Sequence, residues 1–269
     1  MKSENAIVFT LTNSYTAALK VFFKSYIYFN NKIVKAVVFE EEPITQQNKD
    51  ALKLIYPDIS FISFSSQIPY ISTLRRKWEI NPYNRFDIFK LNYDKIIFFD
   101  TDMLVLSKID NLFNLSEPFG AVYHKYPDGV DSDILNASFS YNNKTFNFAN
   151  SFNAGLMVIS REFLSNEVYK ELVKISVSHK WLGNQGPINV FFNDKVKLLD
   201  DRFFVTTPEI TPALFKNAKI LHFAGEVKPW FNNNYDLLDN FNHHVLETVE
   251  DRTVLLKCLY KYKKFLKEV

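Results

Sequence analysis

Residues 95–100 read KIIFFD, four apolar side chains in a row with no polar alternate, closed by an aspartate. A strand with one wet face alternates apolar and polar residues. An unbroken apolar run is what a strand covered on both faces requires, and such strands belong to sheets sandwiched between helices. Ahead of this run, segments of strand and helix length take turns. AIVFTL (6–11), KIVKAVVFEE (32–41) and ISFISF (59–64) read as strands; TAALKVFFKSYIYF (16–29) and QQNKDALKLIY (46–56) read as helices. LRRKWEI and RFDIFKL are helical pieces separated by Pro82, since proline ends or kinks a helix. This order predicts an α/β protein with a Rossmann-like, mostly parallel central sheet flanked by helices.

The second half is more mixed. FGAVYH (119–124), AGLMVIS (154–160), VKLLD (196–200) and AKILHF (218–223) are strand-like. Helices are expected over about 161–179, at QGPINVFF (185–192) and in a lysine-studded tail from about 243. Residues 125–150 form a polar stretch of the length usually reserved for function or disorder. No internal repeat, linker or composition break divides the 269 residues, so one domain over 1–269 is expected, with 243–269 as a helical tail.

Composition narrows the classes of function. A formal net charge of +2 is too small to point to nucleic acid or an acidic membrane as partner. The abundance of Phe, Ile, Asn, Lys and Tyr is what AT-rich codons encode. A single cysteine, Cys258, excludes an intrachain disulfide and a cysteine metal cluster. The opening MKSENAIVFTLTNSY lacks the apolar core of a secretory signal, and no run approaches the roughly 20 apolar residues of a membrane span. The expected location is therefore cytoplasmic or another intracellular aqueous compartment, and Asn114, Asn136 and Asn143 are chance glycosylation sequons in an Asn-rich chain.

Asp100 and Asp102 stand one residue apart at the carboxyl end of the most apolar strand, the edge where parallel sheets bind ligands. An aspartate pair after a strand is ordinarily a turn that caps local amides. Apolar sequence on both sides argues for more, because two carboxylates in one cavity repel unless a cation intervenes. Hard oxygen ligands suit Mg²⁺ or Mn²⁺, and a cation held there can neutralise a diphosphate leaving group.

FDTDMLVLSKIDNLF, FNAGLMVIS, GNQGPINVFFND and LHFAGEVKPW occur in the order and rough spacing of the glycogenin-like glycosyltransferases, family 8 of the retaining enzymes. FTLTNSYTAALKVFFKSY resembles that family's nucleotide-binding start, so the resemblance covers roughly residues 5–231. It implies a GT-A fold, a UDP-linked sugar donor and Mn²⁺, with Mg²⁺ as the alternative. Matched by position, Asp100, Asp102 and His222 are the implied metal ligands, with Thr101 between the aspartates and Asp102 also reaching the donor. Read alone, a histidine at a strand end is a hydrogen-bonded structural residue; beside two aspartates it favours Mn²⁺ over Mg²⁺.

The same matching places Gly225 and Lys228 over the diphosphate, where glycine permits close backbone approach and lysine supplies a point charge. Without the motif Lys228 reads as a surface lysine, and Trp230 as a packing anchor. Thr10, Leu11, Thr12, Asn13 and Tyr15 follow the first strand, where the nucleoside would lie, with the tyrosine ring stacking on the base. A helix cap at Asn13 or Ser14 is equally compatible. Lys90 matches a lysine near the donor, and Arg76 is a candidate for the diphosphate or sugar. Asn153, Ala154 and Gly155 match the sugar-contacting turn.

Two departures from the family pattern carry weight. Asn184 stands where the motif usually begins with aspartate, which removes a carboxylate nucleophile and favours same-face transfer, with Gln185 orienting the anomeric centre. Glycogenins glucosylate one of their own tyrosines shortly before the HF-G segment, whereas 203–220 contains none. The expected function is metal-dependent transfer of a hexose, glucose or galactose, from a UDP-sugar to a hydroxyl acceptor. That acceptor is a glycan, a lipid-linked sugar, a protein or a small molecule, and a homodimer is an allowed assembly. Two alternatives remain: a sugar-nucleotide-binding protein with little or no turnover, and a haloacid-dehalogenase-like phosphohydrolase. The lysine-rich end is either a solvated helix face or a surface for an anionic partner.

Overall fold

The structure, a computed structural model, describes residues 4–65, 82–124, 140–141, 144–178, 181, 183–207, 210–225, 228–230 and 249–267. The first half runs β1 (Asn5–Leu11), α1 (Thr16–Phe29), β2 (Lys35–Glu40), α2 (Gln46–Ile55), β3 (Ile59–Ser63), a 3₁₀ segment (Pro82–Lys90), β4 (Lys95–Phe99) and β5 (Met103–Val105). It continues with β6 (Phe119–Tyr123), a small hairpin of β7 (Ser140–Tyr141) and β8 (Lys144–Thr145), β9 (Phe152–Ser160), α3 (Asn166–Ser178) and α4 (Gln185–Phe192). Last come β10 (Lys197–Leu199), β11 (Val205–Thr206), α5 (Pro212–Asn217), β12 (Ile220–His222) and α6 (Val249–Lys267).

The main sheet has the order β10-β6-β9-β4-β1-β2-β3. Its pairs are parallel except where β9 runs antiparallel between β4 and β6. β4 is buried as its sequence demands. Ile96 and Phe98 join one apolar layer with Phe86, Phe89 and Trp181, while Ile97 and Phe99 join the other with Phe9, Leu19 and Phe22. A second sheet, β11-β12-β5, lies beyond the end of β4. Its strands β5 and β11 were not foreseen, because two or three residues are too few to show a period.

RFDIFKL is helical as expected but wound as a 3₁₀ segment, with Pro82 at its first position, where a missing N–H costs nothing. LRRKWEI and most of 125–150 lie outside the described residues. The tail helix begins at Val249 within the described part, and 243–248 lie outside it. α6 buries Val254, Cys258, Leu259, Tyr262 and Phe265 against Val21, Leu104, Leu221 and Phe223. Lys24 of α1 donates to the carbonyls of Phe265 and Leu266 at 2.8 and 3.3 Å, satisfying last-turn carbonyls of α6 that have no intrahelical partner. Among the described residues, no helix is long and apolar enough to cross a membrane.

Candidate active site

β4 ends at Phe99, and the chain passes through Asp100, Thr101 and Asp102 before β5 begins. β5 pairs antiparallel with β12, setting His222 opposite Met103, and the Phe223 N–H donates to the Asp102 carbonyl at 2.9 Å. The backbone ladder therefore delivers a distant histidine to the aspartates. His222 Nε2 lies 3.0 Å from Asp102 Oδ1 and 3.9 Å from Asp100 Oδ2. Each of the three residues offers a ligand atom within 4.8 Å of the others.

Lys228 closes the other side. Its ammonium is 2.5 Å from Asp102 Oδ2 and donates to the Phe223 carbonyl at 2.6 Å. Both side chains are buried. Burial alone would push the Asp102 carboxyl up, but the His222 and Lys228 charges and hydrogen bonds outweigh it and hold the group well below the usual carboxylate range. Lys228 is thus a buried ion-pair partner of Asp102 rather than a surface lysine.

Asp100 has a different neighbour. Arg85, in the 3₁₀ segment, places Nη2 3.3 Å from Asp100 Oδ1 and Nη1 3.5 Å from Asn184 Oδ1, with its guanidinium 4.9 Å above the Phe98 ring. Sequence reasoning missed Arg85. Its cation stands off the buried face of Tyr83, Phe86 and Phe89, where nothing in the sequence marks it off from a solvated arginine. Arg76, the arginine singled out instead, lies outside the described residues.

β9 forms the floor. A Cβ built on Gly155 would meet Asp100 Oδ2 at 2.5 Å and Asn153 Oδ1 at 2.9 Å, so only glycine fits beneath that carboxylate. The Asp100 N–H donates to the Gly155 carbonyl at 2.8 Å, and the Gly155 N–H donates to Asn153 Oδ1 at 2.7 Å. Gln185 Oε1 accepts from the Ala154 N–H at 2.9 Å, leaving its Nε2 donor buried with no hydrogen-bond partner. Asn189 locks α4 to β9: Phe152 N–H donates to its Oδ1 at 2.9 Å, and its Nδ2 donates to the carbonyls of Phe152 and Gln185 at 2.8 and 3.0 Å.

The other expected residues divide. Thr10 and Leu11 are buried at the end of β1, and Thr101 is buried between the aspartates. The Thr12 and Ser14 hydroxyls pair at 2.9 Å. Asn13 does not cap α1. Its carboxamide binds Glu42, the Pro43 carbonyl, the Thr45 N–H and Asn48, tying the turn after β1 to the start of α2. Tyr15 packs edge-on against Trp230 at 5.1 Å, and Trp230 stacks on Tyr262 at 5.9 Å, the packing role expected of that tryptophan. The Lys228 ammonium lies 6.0 and 5.9 Å from the Tyr15 and Trp230 rings. Gly225 has φ +90°, the left-handed conformation that favours glycine. Lys90 pairs with Asp87 at 2.5 Å, bonds Ser65 Oγ at 2.7 Å and lies 4.4 Å over the Tyr169 ring.

The donor set fits a divalent cation. Two carboxylates and one imidazole bring their ligand atoms within 4.8 Å of one another, the imidazole 3.0 Å from one carboxylate and 3.9 Å from the other. Hard oxygen with one imidazole suits Mn²⁺ or Mg²⁺. His222 Nδ1 is buried without a hydrogen-bond partner, so the ring is held by Asp102 and by the Phe204 ring at 4.9 Å.

Comparison with known proteins agrees with this geometry. The family model described as Glycosyl transferase family 8 matches residues 6–234. Glycogenin-1 of Oryctolagus cuniculus is 32% identical over 157 residues, covering 54% of this chain and 39% of that protein, so the chain spans well under half the length of this relative. Among solved structures, the bifunctional glycosyltransferase WbbM superposes with a TM-score of 0.66 at 20% identity over 96% of this chain and 52% of that one. The galactosyltransferase LgtC, in complex with donor and acceptor sugar analogues, gives 0.64 at 18% identity, over 93% of this chain and 99% of that one. These likenesses establish the fold as GT-A.

Proposed function

Since this chain belongs to glycosyl transferase family 8, a family of retaining glycosyltransferases, we propose that it moves a hexose, glucose or galactose, from a UDP-sugar to a hydroxyl acceptor with the help of a divalent metal. The convergence of Asp100, Asp102, His222 and Lys228 at the carboxyl end of β4 carries this reading. Asp100, Asp102 and His222 hold the cation, Mn²⁺ with Mg²⁺ as the alternative. When bound, it supplies positive charge that neutralises a diphosphate.

The protein's own groups divide the remaining work. Lys228 leaves Asp102 for a phosphate oxygen of the donor and stabilises the charge that grows there as the glycosidic bond breaks. Gln185 is fixed by Ala154 through Oε1 and keeps Nε2 free to donate to the sugar. Asn184 is an amide bonded to Arg85 and offers no carboxylate nucleophile, which supports transfer on one face of the sugar. Thr10, Leu11, Thr12 and Tyr15 flank the nucleoside, and Asn153 meets the sugar hydroxyls. The lack of a tyrosine in 203–220 supports another molecule as the acceptor. One unit spans the chain in this reading, α6 included, because α6 packs on α1.

The test is calorimetric titration of UDP with Mn²⁺ and then with EDTA. Binding that needs the cation, and that Asp102→Asn abolishes, supports the reading. UDP binding that ignores both the cation and Asp102→Asn would refute the metal assignment. A second reading, donor binding without turnover, draws on Asn184; it predicts cation-dependent UDP-sugar binding with neither hydrolysis nor transfer. Membership of the family removes the phosphohydrolase alternative.

A further inference from the structure

We infer that Tyr262, on the C-terminal helix, is a positioning residue for Lys228, so that the donor site depends on an element beyond the segment matching the family model. That match ends at residue 234, whereas α6 spans Val249–Lys267. Tyr262 is 1% exposed. Its ring stacks on Trp230 at 5.9 Å and meets the Phe223 ring edge-on at 5.3 Å. Both of these residues meet the Lys228 ammonium. Phe223 accepts from the ammonium through its carbonyl at 2.6 Å, and Trp230 presents its ring 5.9 Å from it.

One aromatic ring thus packs against both residues that meet the lysine. The support is anchored in turn. Phe223 N–H is bonded to the Asp102 carbonyl, Trp230 packs on Tyr15, and α6 is fastened to α1 by Lys24 on the Phe265 and Leu266 carbonyls. The Tyr262 hydroxyl is buried with no hydrogen-bond partner, and the contacts to Phe223 and Trp230 are made by the ring.

The inference rests on the assignment of Lys228 to the donor diphosphate, and a double-mutant cycle separates the two. UDP affinity in Mn²⁺ is measured for the wild type, Tyr262→Leu, Tyr262→Phe, Lys228→Met and the Tyr262→Leu/Lys228→Met pair. Loss of a charge-assisted contact predicts about a tenfold weaker Kd for Lys228→Met. Tyr262→Leu is expected to approach that loss, Tyr262→Phe to stay near wild type, and the pair to be no worse than Lys228→Met alone. Additive losses overturn the inference, because a ring that merely stabilises the fold would weaken binding whether or not the lysine is present. Unchanged affinity in Tyr262→Leu, or an equal loss in Tyr262→Phe, overturns it too. Unchanged affinity in Lys228→Met instead refutes the donor assignment beneath it. Tyr260→Ala, exposed on the same helix, is the control expected to bind like wild type.

Should Tyr262→Leu not fold, hydrogen exchange of α6 decides. UDP with Mn²⁺ is expected to slow exchange in 249–267 of the wild type beyond Mn²⁺ alone, and not to do so in Lys228→Met. Equal exchange with and without UDP in the wild type overturns the inference.

Discussion

Gly155 has no side chain because Asp100 fills the space one would need: a Cβ there would lie 2.5 Å from the Asp100 Oδ2 oxygen. That contact is far shorter than packed atoms tolerate, and the neighbour that must move is a proposed metal ligand. Gly155→Ala is therefore expected to weaken cation-dependent UDP binding at least tenfold while the main sheet stays folded, an overpacking cost of about 1–3 kcal/mol at most. Calorimetry paired with thermal melting checks both halves. A variant that binds at wild-type strength would show that Asp100 can move aside without loss.

Asn189 answers the backbone of Phe152 in both directions and is fully buried. Asn189→Ala leaves a buried N–H and a buried carbonyl unmatched, at about 1–3 kcal/mol each. Urea denaturation is expected to register a loss of about 2–4 kcal/mol with little change in slope. Asn189→Asp, which keeps one acceptor but loses the donor, is expected to be destabilised as well.

Arg85 shares its guanidinium between Asp100 and Asn184. Arg85→Met removes a positive charge from the cation's surroundings, so Mn²⁺ alone is expected to bind several-fold tighter, as relief of like-charge repulsion over a few ångströms dictates. Asn184→Asp acts in the same direction by adding a negative charge. Paramagnetic relaxation of water protons on titration with Mn²⁺ reads both. Weaker Mn²⁺ binding in Arg85→Met would mean that the arginine orients Asp100 rather than competing for it.

Burial pushes the Cys258 thiol up to about 12, against about 8.5 for a free cysteine. The raised value fixes the sign: the folded state keeps the proton between the two values while the unfolded state loses it, so this group's contribution to stability is present below about pH 8.5 and falls as pH rises above it. Iodoacetamide at pH 8.5 is expected to leave the native thiol untouched and to alkylate it in urea. Rapid labelling of the native protein would mean that α6 leaves its seat on Val21, Leu104 and Leu221.

The sequence announces the paired aspartates because carboxylates closing an apolar strand have few inexpensive structural explanations. His222 and Lys228 follow once LHFAGEVKPW is placed beside them. Other features were hidden for identifiable reasons. β5 is three residues and β11 two, too short for periodicity to register. The reversed direction of β9 leaves no trace, because side chains alternate across a strand whichever way it runs. Arg85 sits on a 3₁₀ segment whose buried stripe, Tyr83, Phe86 and Phe89, repeats every three residues and does not mark the arginine. Asn13 bonds Glu42 and Lys90 pairs with Asp87. Polar residue type alone does not reveal which partner wins.

The antiparallel seam between β5 and β12 also has a consequence in time. Asp102 and Lys228 are separated by 126 positions in the chain. At roughly 5–20 residues per second, a ribosome exposes the aspartates roughly 6–25 seconds before the lysine that neutralises one of them. Throughout that interval Asp102 lacks its lysine, while Asp100 already has Arg85, made earlier, as its partner. The ion pair closes only once residue 228 is made, and α6, whose Tyr262 stacks on Trp230, follows later still.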